Sequence, residues 1–328
     1  MKEIYLGVDV GSVSTNIVVM DSEKNVIDTL YIRTKGKPIE ALRLGLRQIK
    51  DRLESDVKVL GLGTTGSGRH LAATMLGADI VKNEITAHGV AALNIVPDVK
   101  TIIEIGGQDS KIILLRDGII YDFAMNTVCA AGTGSFLDRQ AERLGIPIQE
   151  FGSLALKSKS PVRIAGRCAV FAESDMIHKQ QLGHNQEDII NGLCEAMARN
   201  YLNNLGKGKE IKGPIIFQGG VAANIGIKKS FERLLGSEII VPEFANVMGA
   251  IGACLLAREE VRKTGITKFL GLDVADSSFN VKSFECDSCP NMCEVVEFYR
   301  DQKLVARWGD KCGRWSNVQI SQEDEKLA

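Results

Sequence analysis

The sequence predicts an α/β protein with two duplicated lobes and a small C-terminal β module rich in cysteine. Three observations support this prediction. A strand–turn–strand pattern with an acid and a glycine near its tip occurs twice, around Asp9 and around Glu104. A Gly-Gly element that joins an apolar strand to a helix follows the second copy, at Gly219. Four of the 8 cysteines lie close together near the C-terminus, around a predicted hairpin.

The bulk composition excludes several classes of partner. The 328 residues carry 40 Lys and Arg against 41 Asp and Glu, a formal net charge of −1. So balanced a charge argues against a nucleic acid or a membrane surface as partner. No apolar run approaches the ~18 residues of a membrane span, and early charged residues argue against a signal peptide. We therefore expect a cytoplasmic protein whose cysteines stay reduced, some of them as metal ligands.

The two hairpins share one layout: an apolar strand, an acid, one apolar residue, a glycine, a small polar turn and a second strand. Asp9 and Gly11 in the first hairpin match Glu104 and Gly106 in the second. Glycine at the tip lets backbone N–H groups approach a phosphate, and an acid at a strand end can hold Mg²⁺ through water. For either hairpin alone, an ordinary glycine turn with a solvated acid is the alternative interpretation.

The Gly-Gly element adds a third potential contact with a nucleotide. A buried strand that opens through Gly219 and Gly220 into the helical run 227–235 can bring backbone against a base or a ribose. Two segments with small residues on one face, 84–93 and 247–257, read as helices that can cross closely. Such a crossing is a hinge candidate between two lobes, or simply a pair of tightly packed core helices.

This order of motifs resembles the actin, Hsp70 and sugar-kinase ATPases over roughly residues 1–257. The resemblance implies duplicated ribonuclease H-like lobes with ATP and Mg²⁺ in the cleft between them. It implies that ATP is held by three glycine-rich segments, which contribute Gly11, Ser12 and Thr15, then Gly106 and Gly107, then Gly219, Gly220 and Asn224. It also implies that Asp9 and Glu104 face hydrated Mg²⁺, and that Gln108 or Asp109 orients the attacking water.

Cys129 and Cys168 each precede a predicted helix. Helix N-termini carry partial positive charge and free N–H donors, which stabilise thiolates and an anionic iron–sulfur cluster. Because a [4Fe–4S] cluster takes four thiolates, two per chain would imply a twofold dimer with one cluster on its axis. The residues alone leave open that both cysteines are small buried core residues.

Four strings resemble the activators of 2-hydroxyacyl-CoA dehydratases, a family that also includes benzoyl-CoA reductase ATPase subunits: NTVCAAGTGSFLDRQAERLG, GRCAVFAESDMI, EIGGQDSK and NEITAH. The resemblance implies an ATP-hydrolysing reductase, a homodimer with one bridging [4Fe–4S] cluster on Cys129 and Cys168. A ferredoxin or flavodoxin would reduce this dimer, and the dimer would pass one electron to a partner iron–sulfur enzyme at a potential too low for that donor alone. Gly132, Thr133 and Gly134, after the first ligand, would also touch the nucleotide.

Two other functions stay open for this fold. One is a sugar or small-acid kinase in which the cysteines are incidental, and the other is an Hsp70-like binding module regulated by nucleotide. The sequence shows no evident sugar-binding insertion and no C-terminal peptide-binding domain of adequate length.

The expected organisation is a first lobe over 1–92, completed by a helix at 246–258, and a second lobe over 93–245 that carries the iron–sulfur ligands. A linker over 259–283 leads to a cysteine-rich extension over 284–328. In this extension a hairpin of 294–299 and 304–308 is surrounded by four cysteines: Cys286, Cys289, Cys293 and Cys312. This pattern predicts a metal site, and it favours structural Zn²⁺ over a second iron–sulfur cluster. Cys194 and Cys254 read as core residues.

Overall fold

The computed structural model describes residues 2–54, 56–126, 129–166 and 168–316. They form two five-stranded sheets and one three-stranded sheet, so the predicted α/β class with two lobes and a small C-terminal sheet is confirmed. Within these ranges no helix is both long and apolar enough to cross a membrane. The end of the predicted extension, residues 317–328, lies outside the described residues.

The first sheet has the strand order β3-β2-β1-β4-β5. β1 pairs antiparallel with β2 and parallel with β4. Its strands are β1 (Lys2–Val10), β2 (Ser14–Asp21), β3 (Val26–Arg33), β4 (Val57–Thr65) and β5 (Ile80–Val81). The first predicted hairpin is β1–β2, in which Asp9 lies opposite Asn16 just before the turn.

The second sheet repeats this topology with the order β10-β9-β6-β7-β8. β6 pairs antiparallel with β7 and parallel with β9, as β1 does with β2 and β4. Its strands are β6 (Thr101–Ile105), β7 (Ser110–Arg116), β8 (Ile119–Asn126), β9 (Ile215–Gln218) and β10 (Ile239–Ile240). Glu104 lies opposite Lys111, in the register of Asp9 and Asn16, so the repeat inferred from the sequence is structural.

The helices of the described ranges cover the sheets and connect the lobes. In chain order they are α1 (Pro38–Arg52), α2 (Arg69–Leu76), α3 (Glu84–Ile95), α4 (Gly134–Leu144), α5 (Ile148–Ala155), α6 (Ala169–Gln181), α7 (Gln186–Leu205), α8 (Ile225–Leu235) and α9 (Met248–Thr264).

The helices α3 and α9 cross at close range between the two sheets. A Cβ atom on Gly252 would collide with the carbonyl of Ala87, so the small residues permit this approach, as predicted. Around the crossing, Val18 of the first sheet and Ile113 of the second belong to one fully buried apolar layer. The two lobes therefore share a packed core at the base of the cleft.

The C-terminal sheet comprises β11 (Phe279–Glu285), β12 (Glu294–Arg300) and β13 (Lys303–Trp308). β12 and β13 form the predicted hairpin, with Arg300 opposite Lys303. Much of the stretch expected to be a linker, 259–283, has regular secondary structure, because α9 continues to Thr264, a 3-10 helix spans Leu272–Asp276 and β11 begins at Phe279. Phe298 has no exposed surface and belongs to the core of the first lobe, so this sheet is packed onto that lobe.

Candidate functional site

The turns of the β1–β2 and β6–β7 hairpins meet across a cleft between the lobes. A Cβ atom on Gly107 would lie 2.7 Å from the side chain of Val13, so the second turn must be glycine to approach the first this closely. The space behind the two turns is a cavity of about 160 Å³. We call it the phosphate cavity, and the predicted site residues that line it are Asp9, Gly11, Ser12, Glu104, Gly106, Gly107, Gln108, Asp109, Gly219 and Gly220.

A second cavity of about 330 Å³ continues from the first and shares Val13, Tyr31, Gly106, Gly107 and Gly220 with it. We call it the nucleoside cavity. Its further lining is largely apolar or small, with polar groups at the rim: Arg33, Gly134, Leu137, Asp138, Ile148, Gln149, Gly152, Val221, Ala223 and Asn224. Joined end to end, the two cavities offer a polar half and a more apolar half, as a nucleotide requires.

Three residues predicted to touch the nucleotide lie outside both linings. Thr15 has no exposed surface, and its hydroxyl lies 3.0 Å from that of Thr34. Because the Thr34 hydroxyl donates its proton to the carbonyl of Gly11, the Thr15 hydroxyl is the donor of this pair. Thr15 therefore stabilises the turn through Thr34 and does not face the cavity. Gly132 and Thr133 are also buried, and the Thr133 hydroxyl donates to the carbonyl of Ala130.

The position of Gly219 explains why the third element needs glycine. Its φ of +89° lies in the left-handed region, and a Cβ atom there would lie 2.7 Å from Oε1 of Glu104. Asn224 caps α8 by accepting from the N–H groups of Gly226 and Ile227. Its side-chain amide nitrogen is buried and has no partner within the described protein, beside the nucleoside cavity that Asn224 lines.

Two carboxyl groups of the phosphate cavity, those of Asp9 and Glu104, have strongly raised pKa values. Burial, reinforced by the negative charge of Glu84, raises the pKa of Asp9 to about 7. Burial also raises the pKa of Glu104 to about 7, although the nearby Lys111 ammonium opposes that rise. A cation bound beside such carboxyl groups stabilises their charged form and lowers their raised pKa values. Oxygen ligands of this kind suit Mg²⁺.

Lys111 is a site residue that the sequence analysis missed. Its side chain is 2% exposed, and its ammonium lies 2.9 Å from Glu104, 3.0 Å from Asp109 and 3.4 Å from Glu84. Burial lowers the pKa of Lys111, but these three carboxylates raise it well above its usual value. The internal repeat could have identified Lys111 as a site residue, because seven positions separate Glu104 from Lys111 just as seven separate Asp9 from Asn16.

Polar atoms without a protein partner collect at the strand ends below the cavity. Among the described residues they include Oδ1 of Asn16, Oγ1 of Thr65 and Oε1 of Gln218, and Asn16 lines the phosphate cavity. The amide nitrogen of Gln218 lies 2.8 Å from Nδ1 of His88. Burial, with Lys111 nearby, lowers the pKa of His88 to about 3, so the ring is neutral and its Nδ1 accepts from Gln218. Buried oxygens left unpaired at a cleft floor fit a ligand that completes them.

The segment after Cys129 is bonded directly to the second phosphate hairpin. The N–H of Gly134 donates to the carbonyl of Gly106 at 2.8 Å, and the N–H of Ser135 donates to that of Gly107 at 2.9 Å. The Ser135 hydroxyl also donates to the Gly107 carbonyl, at 2.6 Å. Cys129 is half-buried, and its backbone N–H and carbonyl both bond to the side chain of Asn126.

Cys168 is half-buried and immediately precedes the first turn of α6. Asn200 of α7 connects its segment with that of Cys129. The Asn200 amide donates to the carbonyl of Gly166 at 2.5 Å, and its Oδ1 would lie 3.1 Å from a Cβ atom on Gly132. Cys168 thus stands directly before the N-terminus of α6, whereas Cys129 precedes a short 3-10 turn, Ala130–Gly132, that leads into α4.

The other cysteines divide as follows. Cys194 and Cys254 have no exposed surface, as core residues should. Cys286 is buried and accepts from the indole N–H of Trp315, whereas Cys289 and Cys312 are exposed. Across the described parts of the chain, no three His, Cys, Asp or Glu side chains converge into a group that could hold a metal ion. The four C-terminal cysteines therefore do not fit a metal centre as they lie, and the predicted Zn²⁺ or second cluster stays a prediction.

The sequence profile of the BadF/BadG/BcrA/BcrD ATPase family matches residues 6–257, which hold both hairpins, both cysteine segments and the Gly-Gly element. The chain belongs to this family. It is therefore an ATPase, and the expected resemblance is confirmed. The family match ends inside α9, so β11, β12 and β13 lie beyond it.

Characterised relatives in the BadF/BadG/BcrA/BcrD family are similar over most of the chain. The 2-hydroxyisocaproyl-CoA dehydratase activator of Clostridioides difficile is 32% identical, over 79% of this chain and 96% of that protein. The (R)-2-hydroxyglutaryl-CoA dehydratase activating ATPase of Acidaminococcus fermentans is 34% identical, over 80% of this chain and 100% of that protein. The activator of lactoyl-CoA dehydratase of Anaerotignum propionicum is 32% identical, over 79% of this chain and 98% of that protein.

Solved structures support the same assignment. The Clostridium difficile activator with bound ADPNP superposes with a TM-score of 0.72 at 31% identity, covering 80% of this chain and 97% of that one. The ethanolamine utilization protein EutJ of Carboxydothermus hydrogenoformans reaches a TM-score of 0.50 at 19% identity, over 77% of this chain and 90% of that one. The latter likeness concerns the fold alone.

Proposed function

We propose that this ATPase is an ATP-dependent, low-potential electron donor of the cytoplasm. It works as a homodimer that couples ATP hydrolysis to the one-electron reduction of a partner iron–sulfur enzyme, a 2-hydroxyacyl-CoA dehydratase or a related double-cluster protein. The observation that carries the proposal is the direct bonding between the phosphate hairpin at Gly106 and Gly107 and the segment that follows Cys129.

In this proposal the phosphates of ATP lie in the phosphate cavity and its nucleoside lies in the nucleoside cavity. The phosphate cavity offers backbone N–H groups at the hairpin turns, and the nucleoside cavity offers an apolar wall with the Asn224 amide. Asp9 and Glu104 face the place of hydrated Mg²⁺, and the orphaned Asn16 oxygen lies beside them. Gln108 and Asp109 line the same cavity, and one of the two orients the attacking water; Asp109 forms an ion pair with Lys111. Mg²⁺ held there by Asp9 and Glu104 would supply positive charge for the transferred phosphoryl group.

Cys129 and Cys168 supply two thiolates for a [4Fe–4S] cluster, and a second copy of the chain supplies the other two. The cluster carries one electron when bound. Two features of this chain support the arrangement: Cys168 directly precedes the N-terminus of α6, and both cysteines are partly exposed. Directly after Cys168, Val170 is 68% and Phe171 66% exposed, an apolar surface that a second copy would cover.

Coupling between nucleotide and thiols follows from the shared hairpin. A change of the turn at Gly106 and Gly107 on hydrolysis must displace the start of α4, because three hydrogen bonds join them. The start of α4 continues back into the Cys129 segment, and Asn200 links that segment with the one before Cys168. The free energy of hydrolysis can thereby alter the surroundings of both thiols, and a ferredoxin or flavodoxin donor would restore the transferred electron.

The lobe boundaries follow as part of this proposal: 1–92 with 246–258 on one side of the cleft and 93–245 on the other. The shared layer around α3 and α9 lies at their junction, which supports a hinge there.

The deciding experiment is anaerobic purification followed by iron analysis and sedimentation. We expect a brown dimer with about four iron atoms, whose reduction of an acceptor enzyme requires MgATP. A colourless monomer that still hydrolyses ATP would overturn the electron-transfer proposal and favour a kinase or binding module. Zinc measured in the same digest tests the separate prediction for the C-terminal cysteines.

A further inference from the structure

Lys111 is a buried cation at the centre of the acidic end of the cleft. Of the described residues that line the phosphate cavity, it is the only lysine or arginine, whereas Asp9, Glu84, Glu104 and Asp109 are acids. Its strand is fixed from behind, because the Tyr201 hydroxyl donates to the Lys111 carbonyl at 2.6 Å. The ammonium therefore has a defined position and little freedom to leave it.

The ammonium is already surrounded by acids of the protein. Three carboxylates lie within 3.4 Å of it, those of Glu84 on α3, Glu104 on β6 and Asp109 in the β6–β7 turn. The ammonium donates a hydrogen bond to Oε2 of Glu104 and forms ion pairs with the other two. In this arrangement Lys111 acts through the carboxylates and is a positioning residue.

From this geometry we propose that Lys111 is the resident counter-cation of the phosphate cavity, which keeps a divalent cation from entering until a nucleotide brings it. The inference rests on the proposed ATP site and adds an order of binding to it. With Lys111 in place, its charge already offsets part of the carboxylate charge, so a bare divalent cation gains little by entering. Without it, the ionised acids of the cavity would attract such a cation and repel the polyphosphate of ATP.

The test compares Lys111→Met with the charge-conserving Lys111→Arg in the purified holoprotein. Two affinities are measured: that for Mn²⁺ without nucleotide, by the electron paramagnetic resonance of free Mn²⁺, and that for MgADP, by calorimetry. We expect Lys111→Met to bind Mn²⁺ about tenfold more tightly and MgADP about tenfold more weakly than wild type, since either change corresponds to about 1.4 kcal/mol. Lys111→Arg should stay near wild type in both. A general structural defect would weaken both affinities together.

A second variant keeps the inference testable should Lys111→Met not fold. Glu84 is 25% exposed, and Glu84→Gln removes one acid while the ammonium stays. It should shift both affinities in the opposite directions, with weaker Mn²⁺ capture and tighter MgADP. Unchanged Mn²⁺ affinity in Lys111→Met, or in Glu84→Gln where the first variant does not fold, would overturn the inference. A wild-type protein that binds no MgADP would instead refute the proposed ATP site.

Discussion

The Ser135 hydroxyl donates a 2.6 Å hydrogen bond to the carbonyl of Gly107, so the first turn of α4 is fastened to the second phosphate hairpin. Ser135 is exposed and near the nucleoside cavity, yet its hydroxyl points at the hairpin backbone. This bond lies between the proposed site of hydrolysis and the cysteine segment, so it is suited to a test of coupling.

Replacing Ser135 by Ala should uncouple the two processes. Loss of one hydrogen bond is worth about 1 kcal/mol, so we expect about a fivefold drop in electrons transferred per ATP hydrolysed. ATP hydrolysis itself should continue, since the backbone bonds of Gly134 and Ser135 to the hairpin remain. The measurement is the ratio of acceptor reduced to phosphate released. Ser153→Ala is the matched control, because that exposed serine bonds only within its own helix, to the Glu150 carbonyl.

Cysteine substitutions should separate metal binding from stability. Cys129→Ala and Cys168→Ala should each remove nearly all iron while ADP binding stays measurable, because neither side chain lines the two cavities. Cys194→Ala should keep its iron and lose about 1 kcal/mol of stability, because it opens a small void in a closed core. Iron content and denaturant midpoints check both. Full iron content in either of the first two variants would show that the ligands are misassigned.

The C-terminal sheet should unfold together with the first lobe. Phe298 is buried in that lobe's core and stacks on Phe279, with ring centroids 5.6 Å apart. Phe298→Ala should therefore cost about 3–5 kcal/mol, seen as a lower denaturant midpoint. The control is Phe123→Ala, since Phe123 is 52% exposed on β8 and its loss should cost far less. Equal midpoints for the two variants would mean that the sheet is only loosely attached.

The raised pKa of Asp9 should appear in the pH dependence of stability. Burial and Glu84 put this pKa at about 7, above the value of about 3.9 expected of an unfolded Asp. Between these values the folded carboxyl holds a proton that the unfolded one has lost, so this contribution to the free energy of unfolding falls as pH rises. Without nucleotide, the stability of wild type relative to Asp9→Asn should therefore increase from pH 8 to pH 5, by at most about 1.4 kcal/mol per pH unit.

Asp301 provides a control of opposite sign. The backbone N–H of Ser278 holds the pKa of Asp301 below its ordinary value. Its contribution is present at neutral pH and is lost as pH falls through that lowered pKa. Wild type should thus lose its advantage over Asp301→Asn on acidification. Parallel pH curves for the two comparisons would contradict the assigned burial of Asp9.

The sequence predicts the local parts of this site and misses its long-range partners. The hairpins, the acids at the strand ends and the glycines could be predicted, because strand alternation and turn residues are encoded within about ten neighbouring positions. Lys111 was missed because its role depends on an ion pair with Glu84, and Glu84 lies on α3 in a different part of the sequence. The sequence predicts that Thr15 contacts the nucleotide, whereas the structure buries it, for a similar reason. The pairing of β2 with β3 brings Thr34 close to the Thr15 hydroxyl, and no local pattern specifies that pairing.

At the C-terminus, the hairpin of β12 and β13 could be predicted from its alternation and turn, but its attachment could not. The burial of Phe298 depends on a surface formed by strands near the N-terminus, and no local pattern specifies that contact. Cysteine spacing likewise predicts a metal site that the described side chains do not form as they lie.

Asn200 of α7 donates a hydrogen bond to the Gly166 carbonyl in the segment before Cys168, and its side chain lies against Gly132 in the segment after Cys129. For the proposed iron centre this means that the polypeptide itself, and not the metal, keeps the two thiol-bearing loops in register. Protein that has lost its proposed cluster to oxygen should therefore allow reconstitution of the cluster while the chain stays folded. Resupply of iron and sulfide under reducing conditions should restore its colour without a cycle of denaturation and refolding, and an Asn200→Ala protein should need that cycle.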